Sequence, residues 1–349
     1  MRCKLLPSYR LLSTINRCQA LIHQEHGNPP DVVSLSEPPL PQCGEQQVLL
    51  RTLAAPINPA DINMIQGIYP IRPTLPALGG NEGVFEVLEI GSGVRDLAPG
   101  DWVVPAGAGS GTWTTHTVLS ADNVWKVSRD LLTPEAAATI VVNPPTAYRM
   151  LKDFVTLQEG DVVIQNGANS AVGINVIQMA RILGLKSINI VRKRPNIDEV
   201  HADLTRLGAD HVLTEEELKS DVGRSILKTT GPPKLALNCV GGRSTLYLSS
   251  VLGQKGCLVT YGGMSRQPIQ APTGPLIFND ISFRGFWMSK WYTIGENAKE
   301  REKMFDTITN WYHEKKLKVP QFQYTRLEQY KSALTVATDA KGPKQIFKF

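Results

Sequence analysis

Residues 161–194 read DVVIQNGANSAVGINVIQMARILGLKSINIVRKR, and this stretch decides the fold of the chain. The apolar run at 161–164 is typical of a buried parallel strand, and a second apolar run at 187–191 has the same character. Between them lie residues at helical spacing, preceded by a turn of small residues: Gly167, Ala168, Ala171 and Gly173. A strand, a turn, a helix and a second strand within about thirty residues predict a dinucleotide-binding βαβ unit.

The turn predicts the phosphate-binding part of a nucleotide site. Small side chains let the backbone approach a pyrophosphate, and the helix that follows directs its amides and its positive dipole toward that charge. Ala171 stands where the usual motif has a glycine, so the turn by itself also fits an ordinary strand–helix crossover.

Three cations follow the second strand: Arg192, Lys193 and Arg194. In NAD-binding chains this place usually holds an acidic residue that binds the ribose hydroxyls. A carboxylate would repel a 2′-phosphate, whereas guanidinium groups pair with it through charge-assisted hydrogen bonds. The cations therefore predict NADPH as the cofactor.

The first 20 residues are typical of a mitochondrial transit peptide, although a tail without a targeting function has the same composition. No acidic residue precedes Glu25, and the segment carries four basic residues: Arg2, Lys4, Arg10 and Arg17. These account for most of the formal net charge of +5, so the remainder is nearly neutral and indicates no nucleic-acid surface. No apolar run approaches the roughly 18 residues that a membrane helix needs.

The rest of the chain predicts an α/β protein with two domains. Short apolar runs separated by Gly, Pro and Asp indicate β-structure up to about residue 143, and alternating strands and helices follow. The domain boundaries are placed at 21–143, at 144–300 for a nucleotide-binding domain and at 301–349 for a C-terminal segment that is expected, though not from spacing alone, to fold back onto the first domain. Five cysteines form no C-x-x-C pair, so neither a disulfide framework nor a zinc knuckle is indicated.

Several motifs in one order resemble the medium-chain dehydrogenase/reductase superfamily: NPAD at 58–61, PGDWV at 99–103 and the 161–194 unit. Five others resemble its mitochondrial trans-2-enoyl-thioester reductases: DINMIQG at 61–67, GGNEG at 79–83, NPPTAY at 143–148, YGGM at 261–264 and RGFW at 284–287. The resemblance implies a GroES-like β domain beside a doubly wound parallel Rossmann domain, with the active site in the cleft between them.

The resemblance also implies a set of site residues. Tyr69 matches the catalytic tyrosine of the family, and Asn143 matches a residue that orients the nicotinamide ring. Pro70 and Ile71 depart from the glycine-containing turn that often follows this tyrosine. Further residues match the cofactor site and its neighbouring loops: Asn169, Ser170, Ala171, Val172, Arg192, Lys193, Arg194, Tyr261, Gly262, Gly263, Met264, Phe286, Trp287, Met288 and Lys344. Trp113 and Trp287 are candidates for the walls of an acyl pocket, but each could instead be a core residue.

The sequence also bears on metal chemistry. Zinc-bearing members of the superfamily have a Gly-His-Glu motif, whereas this chain has Gly80-Asn81-Glu82, without an imidazole, and it lacks the cysteine-rich lobe of a structural zinc. The residues therefore predict a zinc-free architecture, in which a phenol rather than a Lewis acid assists the reaction.

The implied activity is NADPH-dependent reduction of trans-2-enoyl thioesters to saturated acyl thioesters, within mitochondrial type II fatty acid synthesis. The substrate carrier is expected to be acyl carrier protein or CoA, in the mitochondrial matrix, and the family implies a homodimer without membrane insertion. Two alternatives stay open: an NADPH quinone or enone oxidoreductase, and an NADPH-binding protein without catalytic activity.

Overall fold

A computed structural model of the chain describes residues 16–339 and 342–349. Most of the expected transit peptide, including Arg2, Lys4 and Arg10, lies outside the described residues. Arg17 forms a β-bridge with Pro39, and Cys18 and Ala20 are buried. No helix within the described part of the chain is both long and apolar enough to span a bilayer.

The described residues contain strands and helices along most of their length. The strands are β1 Ala20–His23, β2 Val33–Ser36, β3 Gln47–Pro56, β4 Ala77–Leu78, β5 Val84–Ile90, β6 Trp102–Pro105, β7 His116–Ser120, β8 Val124–Val127, β9 Val162–Asn166, β10 Lys186–Val191, β11 His211–Thr214, β12 Leu235–Asn238, β13 Cys257–Thr260, β14 Ser282–Gly285, β15 Phe322–Arg326 and β16 Lys344–Lys348. The α-helices are α1 Pro29–Val32, α2 Pro59–Ile65, α3 Pro134–Ala138, α4 Asn143–Asp153, α5 Ala171–Ile182, α6 Ile197–Leu207, α7 Glu215–Lys219, α8 Asp221–Thr230, α9 Gly242–Ser250, α10 Thr273–Phe278, α11 Met288–Tyr292, α12 Ala298–His313 and α13 Tyr330–Asp339.

The chain divides into two compact units. The first contains residues up to 141 together with 321–349, and the second contains residues 142–320. The second unit is an α/β layer structure around a six-stranded sheet, and the first is mainly antiparallel β-structure. The expected fold class, with a β domain and a doubly wound parallel domain, is confirmed.

The sheet of the second unit has the strand order β11-β10-β9-β12-β13-β14, and every neighbouring pair is parallel. This is the order of a Rossmann fold, in which the chain reverses direction across the sheet between β9 and β12. Its core contains fully buried aliphatic side chains such as Ile164, Ile188 and Leu258. Strands buried on both faces need apolar residues at consecutive positions, which explains the continuous apolar runs in the sequence.

The first unit is built on a seven-stranded sheet. Its order is β15-β16-β3-β5-β6-β8, and β7 also pairs with β3. β16 joins it antiparallel to β3, with Phe347 opposite Ala55. A smaller sheet has the order β2-β1-β4.

Trp113 is a core residue of the first unit. Its side chain is fully buried, packs edge-on against Phe347 at 5.6 Å between ring centroids, and donates a hydrogen bond from Nε1 to the Pro56 carbonyl at 3.2 Å. A Cβ at Gly80, whose φ is +97°, would lie 2.2 Å from Thr112 Oγ1. The GGNEG motif therefore needs glycine at this position, because φ is positive and the side chains of Thr112 and Trp113 leave no space for a Cβ.

Candidate active site

The turn that the sequence predicts to bind phosphate follows β9 in the second unit. Gly167 has a φ of +57°, and a Cβ there would lie 2.4 Å from the Cys239 sulfur. Ser170 caps α5, because its hydroxyl accepts a hydrogen bond from the Gly173 amide at 3.1 Å. The first amides of a helix have no intrahelical acceptor, so those of Ala171 and Val172 are suited to an anion at this turn.

The cationic tripeptide lies at the same edge of the sheet as this turn. β9 and β10 are parallel neighbours, with Asn166 opposite Ile190, and the Ala168 amide donates to the Ile190 carbonyl at 3.2 Å. The turn follows β9 and the cations follow β10, so both leave the carboxyl ends of adjacent strands. Arg192 and Lys193 are exposed, and Arg194 is half-buried.

The loop after β13 also reaches the turn. The Tyr261 hydroxyl lies close enough to Cys239 and Ser170 for both to bear on its pKa. Burial raises the pKa of this phenol well above its usual value, Cys239 acts in the same direction, and Ser170 opposes them. The structure thus brings together Ser170 and Tyr261, which the sequence had assigned to one cofactor site.

A polar ladder that sequence reasoning missed supports this edge of the sheet. Asn166 Nδ2 donates to Asn238 Oδ1 at 2.8 Å and to Ser244 Oγ at 3.0 Å, and Asn166 Oδ1 accepts from the Cys239 amide at 2.8 Å. The polar residues within these apolar strands could have indicated the network, because buried side-chain amides in proteins are nearly always hydrogen-bonded.

The remaining predicted cofactor residues occupy other strand and helix ends. Gly262, Gly263 and Met264 follow Tyr261, and the Met264 amide donates to the Cys239 carbonyl at 2.9 Å. After β14, Phe286 packs edge-on against Phe154, Trp287 is exposed, and Met288 is buried at the start of α11. Asn143 is buried at the start of α4, and Asn169 lies in the turn between β9 and α5.

Tyr69 lies in the first unit, just beyond α2. Gly67 leaves the helix with a φ of +72°, and the Ile68 amide donates to the Asn63 carbonyl at 3.0 Å. The Tyr69 side chain is half-buried, and Pro70 follows it. The backbone of the tyrosine is therefore attached to the last turn of α2.

A buried polar group, here called the Asp61 network, lies at the opposite end of α2. It consists of Asn58, Asp61, Asn81, Glu82 and Lys344. Lys344 Nζ donates to Asn58 Oδ1 at 2.6 Å, Asn58 Nδ2 donates to Glu82 Oε2 at 2.6 Å, and Asn81 Nδ2 donates to Asp61 Oδ1 at 2.6 Å. Burial lowers the pKa of Lys344, and the carboxylates of Glu82 and Asp61 oppose this effect.

The predicted site residues therefore fall into two groups. Those from Asn143 to Met288 belong to the second unit, whereas Tyr69 and Lys344 belong to the first. Lys344, matched from sequence to a cofactor contact, hydrogen-bonds to Asn58 and to the Ile57 carbonyl. Asn81 and Glu82, which stand in place of the zinc-binding motif, are members of the Asp61 network. Among the described residues no group of three or more His, Cys, Asp or Glu is placed to hold a metal ion.

Comparison with known proteins gives a consistent result. Residues 44–129 match the alcohol dehydrogenase GroES-like domain family, and residues 171–308 match the zinc-binding dehydrogenase family. The mitochondrial enoyl-acyl-carrier-protein reductase of Caenorhabditis elegans is 48% identical over 328 residues, which cover 94% of each chain.

Solved structures agree with these matches. The mitochondrial 2-enoyl thioester reductase Etr1p/Etr2p heterodimer from Candida tropicalis is similar with a TM-score of 0.88 and 37% identity, covering 95% of this chain and 100% of that one. A complex of Etr1p with NADP and crotonyl-CoA has the same TM-score, identity and coverage. The chain therefore belongs to the mitochondrial enoyl-acyl-carrier-protein reductase family.

Proposed function

We propose that this protein is an NADPH-dependent reductase that converts trans-2-enoyl thioesters to saturated acyl thioesters in the mitochondrion. The observation that carries the proposal is the similarity over nearly the whole chain to a reductase captured with NADP and an enoyl thioester. The reaction is the last reductive step of type II fatty acid synthesis. The acyl group is carried by acyl carrier protein or by CoA.

The second unit fits the cofactor. The helix start at Ser170 and the close turn at Gly167 suit the pyrophosphate, and Arg192, Lys193 and Arg194 suit the 2′-phosphate. The buried Tyr261 hydroxyl lies near Ser170 of this turn. When bound, the nicotinamide supplies a hydride to the β-carbon of the enoyl thioester, which places negative charge on the thioester oxygen and leaves the α-carbon requiring a proton.

Tyr69 supplies the acid. A phenol at the substrate either donates a hydrogen bond to the charge that develops on the thioester oxygen or relays a proton to the α-carbon, in which case the phenolate regains its proton from solvent. The side chain is suited to this role because its backbone is attached to α2 through the Ile68 amide, and an organised donor needs little rearrangement when charge develops.

Steady-state kinetics of the purified protein test the proposal. We expect turnover of trans-2-enoyl-CoA substrates with NADPH, and kcat/KM at least about tenfold lower with NADH, because a single charge-assisted contact is worth that factor. Faster reduction of quinones than of any enoyl thioester would support the quinone or enone oxidoreductase instead. NADPH binding without turnover of either substrate would support a non-catalytic protein.

The leader is proposed to end upstream of the first strand. Cys18 and Ala20 are buried, and the Cys18 amide donates to the Pro38 carbonyl at 3.2 Å. Removal of all 20 predicted leader residues would delete these contacts, so we place the end of the transit peptide before residue 17.

A homodimer is proposed through the open edge of the parallel sheet. β14 is the last strand of its sheet, and the neighbouring α10 has no buried residue. Ile277 is 64% exposed and Phe278 is 77% exposed. An unpaired strand edge beside exposed apolar side chains is a surface that proteins normally cover.

Phe278→Asp is expected to weaken this dimer by at least about 30-fold, because an aromatic anchor in an interface is worth 2 kcal/mol or more. Sedimentation velocity at low micromolar concentration would then report mainly monomer. Val222→Asp is the matched control, since Val222 is 52% exposed on the different helix α8. Equal dimer stability in both variants would contradict the assignment of this surface.

A further inference from the structure

Asp61 occupies an unusual place for a carboxyl group. It lies in the first turn of α2 and is only 1% exposed. Its Oδ2 accepts from the Asn58 amide at 2.6 Å, and its Oδ1 accepts from Asn81 Nδ2 at 2.6 Å. Asn81 Oδ1 in turn accepts from the Gly109 amide at 2.5 Å. One side chain therefore joins the start of α2 to the 79–83 loop and to the 109 turn.

The other end of α2 leads into the 66–70 turn, which contains Tyr69. The Gly67 amide donates to the Met64 carbonyl and the Ile68 amide to the Asn63 carbonyl, both at 3.0 Å. α2 is a single helix of seven residues, and these hydrogen bonds join its C-terminal end directly to the 66–70 turn. A shift at the Asp61 end is therefore transmitted to the backbone of Tyr69, without an intervening flexible segment.

The charges around Asp61 do not compensate one another. Glu82 and Lys344 belong to the same network, and two carboxylates then face one ammonium group. His23 lines the same small cavity, and its pKa is lowered by burial and by neighbouring His26, although a backbone hydrogen bond to Ala77 opposes the change. Burial and the Glu82 charge raise the pKa of Asp61 to about 7, although the Asn58 amide, Asn81 and Lys344 oppose the change.

The two protonation states hold α2 differently. An ionised carboxylate offers only acceptors, which suits its two donors, the Asn58 amide and the Asn81 side-chain amide. A protonated carboxyl group carries one donor of its own, so it fits this pair of donors less well. Both hydrogen bonds lower the pKa of Asp61, so ionisation favours the arrangement that keeps them over one in which the carboxyl group stays buried without them. Relative to the unfolded chain, burial of the charge still lowers global stability.

We propose that Asp61 is a positioning residue for Tyr69, and that ionisation of its carboxyl group locks α2 and the 66–70 turn in the conformation used for catalysis. This inference rests on the proposed reductase activity. It adds a pH-dependent control of that activity through a group that does not itself contact the substrate.

Asp61→Asn tests the proposal with an isosteric side chain that cannot ionise. Its amide nitrogen would face one of the two groups that donate to Asp61, the Asn58 amide or the Asn81 side chain. At pH 8 we expect kcat to fall by about 10- to 100-fold, since small misplacement of a catalytic group has effects of this size. The KM for NADPH is expected to stay unchanged. The rise in kcat of the wild type between pH 6 and pH 8 is expected to disappear.

Asp31→Asn is the matched control. Asn28-Pro29-Pro30-Asp31 starts α1 in the same way as Asn58-Pro59-Ala60-Asp61 starts α2, and in each the Asp amide donates to the Asn carbonyl. Asp31 is exposed, however, and its side chain accepts from the Asn28 side chain. This variant is expected to retain the kcat and the pH profile of the wild type.

Hydrogen exchange gives a readout that does not depend on activity. The amides of residues 66–69 are expected to exchange about tenfold faster in Asp61→Asn than in the wild type, and at the wild-type rate in Asp31→Asn. If the wild type reduces no enoyl thioester, the proposed function fails, while the exchange data still decide whether Asp61 holds the turn. Unchanged exchange, or an unchanged pH inflection, overturns the inference.

Asn81→Ala serves as a second variant if Asp61→Asn does not fold. Asn81 lowers the pKa of Asp61 by donating to the carboxylate, so its removal raises that pKa further. The inflection in kcat is then expected to move to higher pH. An inflection that stays at its wild-type position overturns the inference.

Discussion

Replacement of Tyr69 with phenylalanine is expected to lower kcat for enoyl-thioester reduction by about 10²- to 10⁴-fold, the range in which a positioned acid or oxyanion donor contributes. The substitution removes one hydroxyl and keeps the aromatic ring, so the packing of the half-buried side chain is retained. NADPH binding, measured by the fluorescence of the reduced cofactor, is expected to be unchanged because the proposed nucleotide contacts lie on other residues.

Tyr324→Phe is the control for this variant. Tyr324 lies in the same unit and donates from its hydroxyl to Glu135 at 2.9 Å, so the substitution also removes a hydrogen-bonding phenol. Its kcat is expected to match that of the wild type, since an exposed hydrogen bond contributes only about 1 kcal/mol to stability. If Tyr69→Phe keeps full turnover, the acid must be another group and the proposed mechanism fails.

The second large effect is expected for cofactor selectivity. Arg192→Ala is expected to lower kcat/KM for NADPH by about 10- to 100-fold, because a hydrogen bond to a charged group contributes roughly 1.5–3 kcal/mol. kcat/KM for NADH, which has no 2′-phosphate, is expected to change little. Titration with both cofactors measures the ratio directly.

Arg206→Ala is the control, because it also removes one positive charge from the surface of the second unit. Arg206 lies on α6, is exposed, and pairs with Asp203 at 2.6 Å. A general electrostatic effect would appear in both variants and would weaken with salt. If Arg192→Ala lowered kcat/KM equally for NADPH and NADH, this side chain would not bind the 2′-phosphate.

Much of the second unit was predictable from local sequence. The stretch 161–194 yields β9, α5 and β10 within one or two residues of the expected bounds. Such agreement arises because each element of a Rossmann unit carries its own signal: continuous apolar runs for buried strands and small residues for the turn. The helix cap at Ser170 follows the same local chemistry, since a serine hydroxyl satisfies an amide three residues later.

In the first unit, important contacts join residues that are far apart in the sequence, so local sequence patterns do not predict them. Lys344 was matched from the sequence to a cofactor contact, and the structure shows its ammonium group hydrogen-bonded to Asn58, 286 positions away. Trp113, considered as the wall of an acyl pocket, packs in the core against Phe347. Neither contact has a sequence signature, because both depend on antiparallel pairing of β16 with β3.

The sequence by itself determined the parallel nucleotide-binding unit, the cationic end of β10 and the absence of an imidazole from the Gly80-Asn81-Glu82 motif. Those features depend on residues within one element or one turn, where spacing and residue type are sufficient. Only the tertiary structure decided that Asp61, Asn81 and Lys344 form one buried network. The raised pKa of Asp61 follows from desolvation and from the uncompensated Glu82 charge, and both arise only when distant segments pack together.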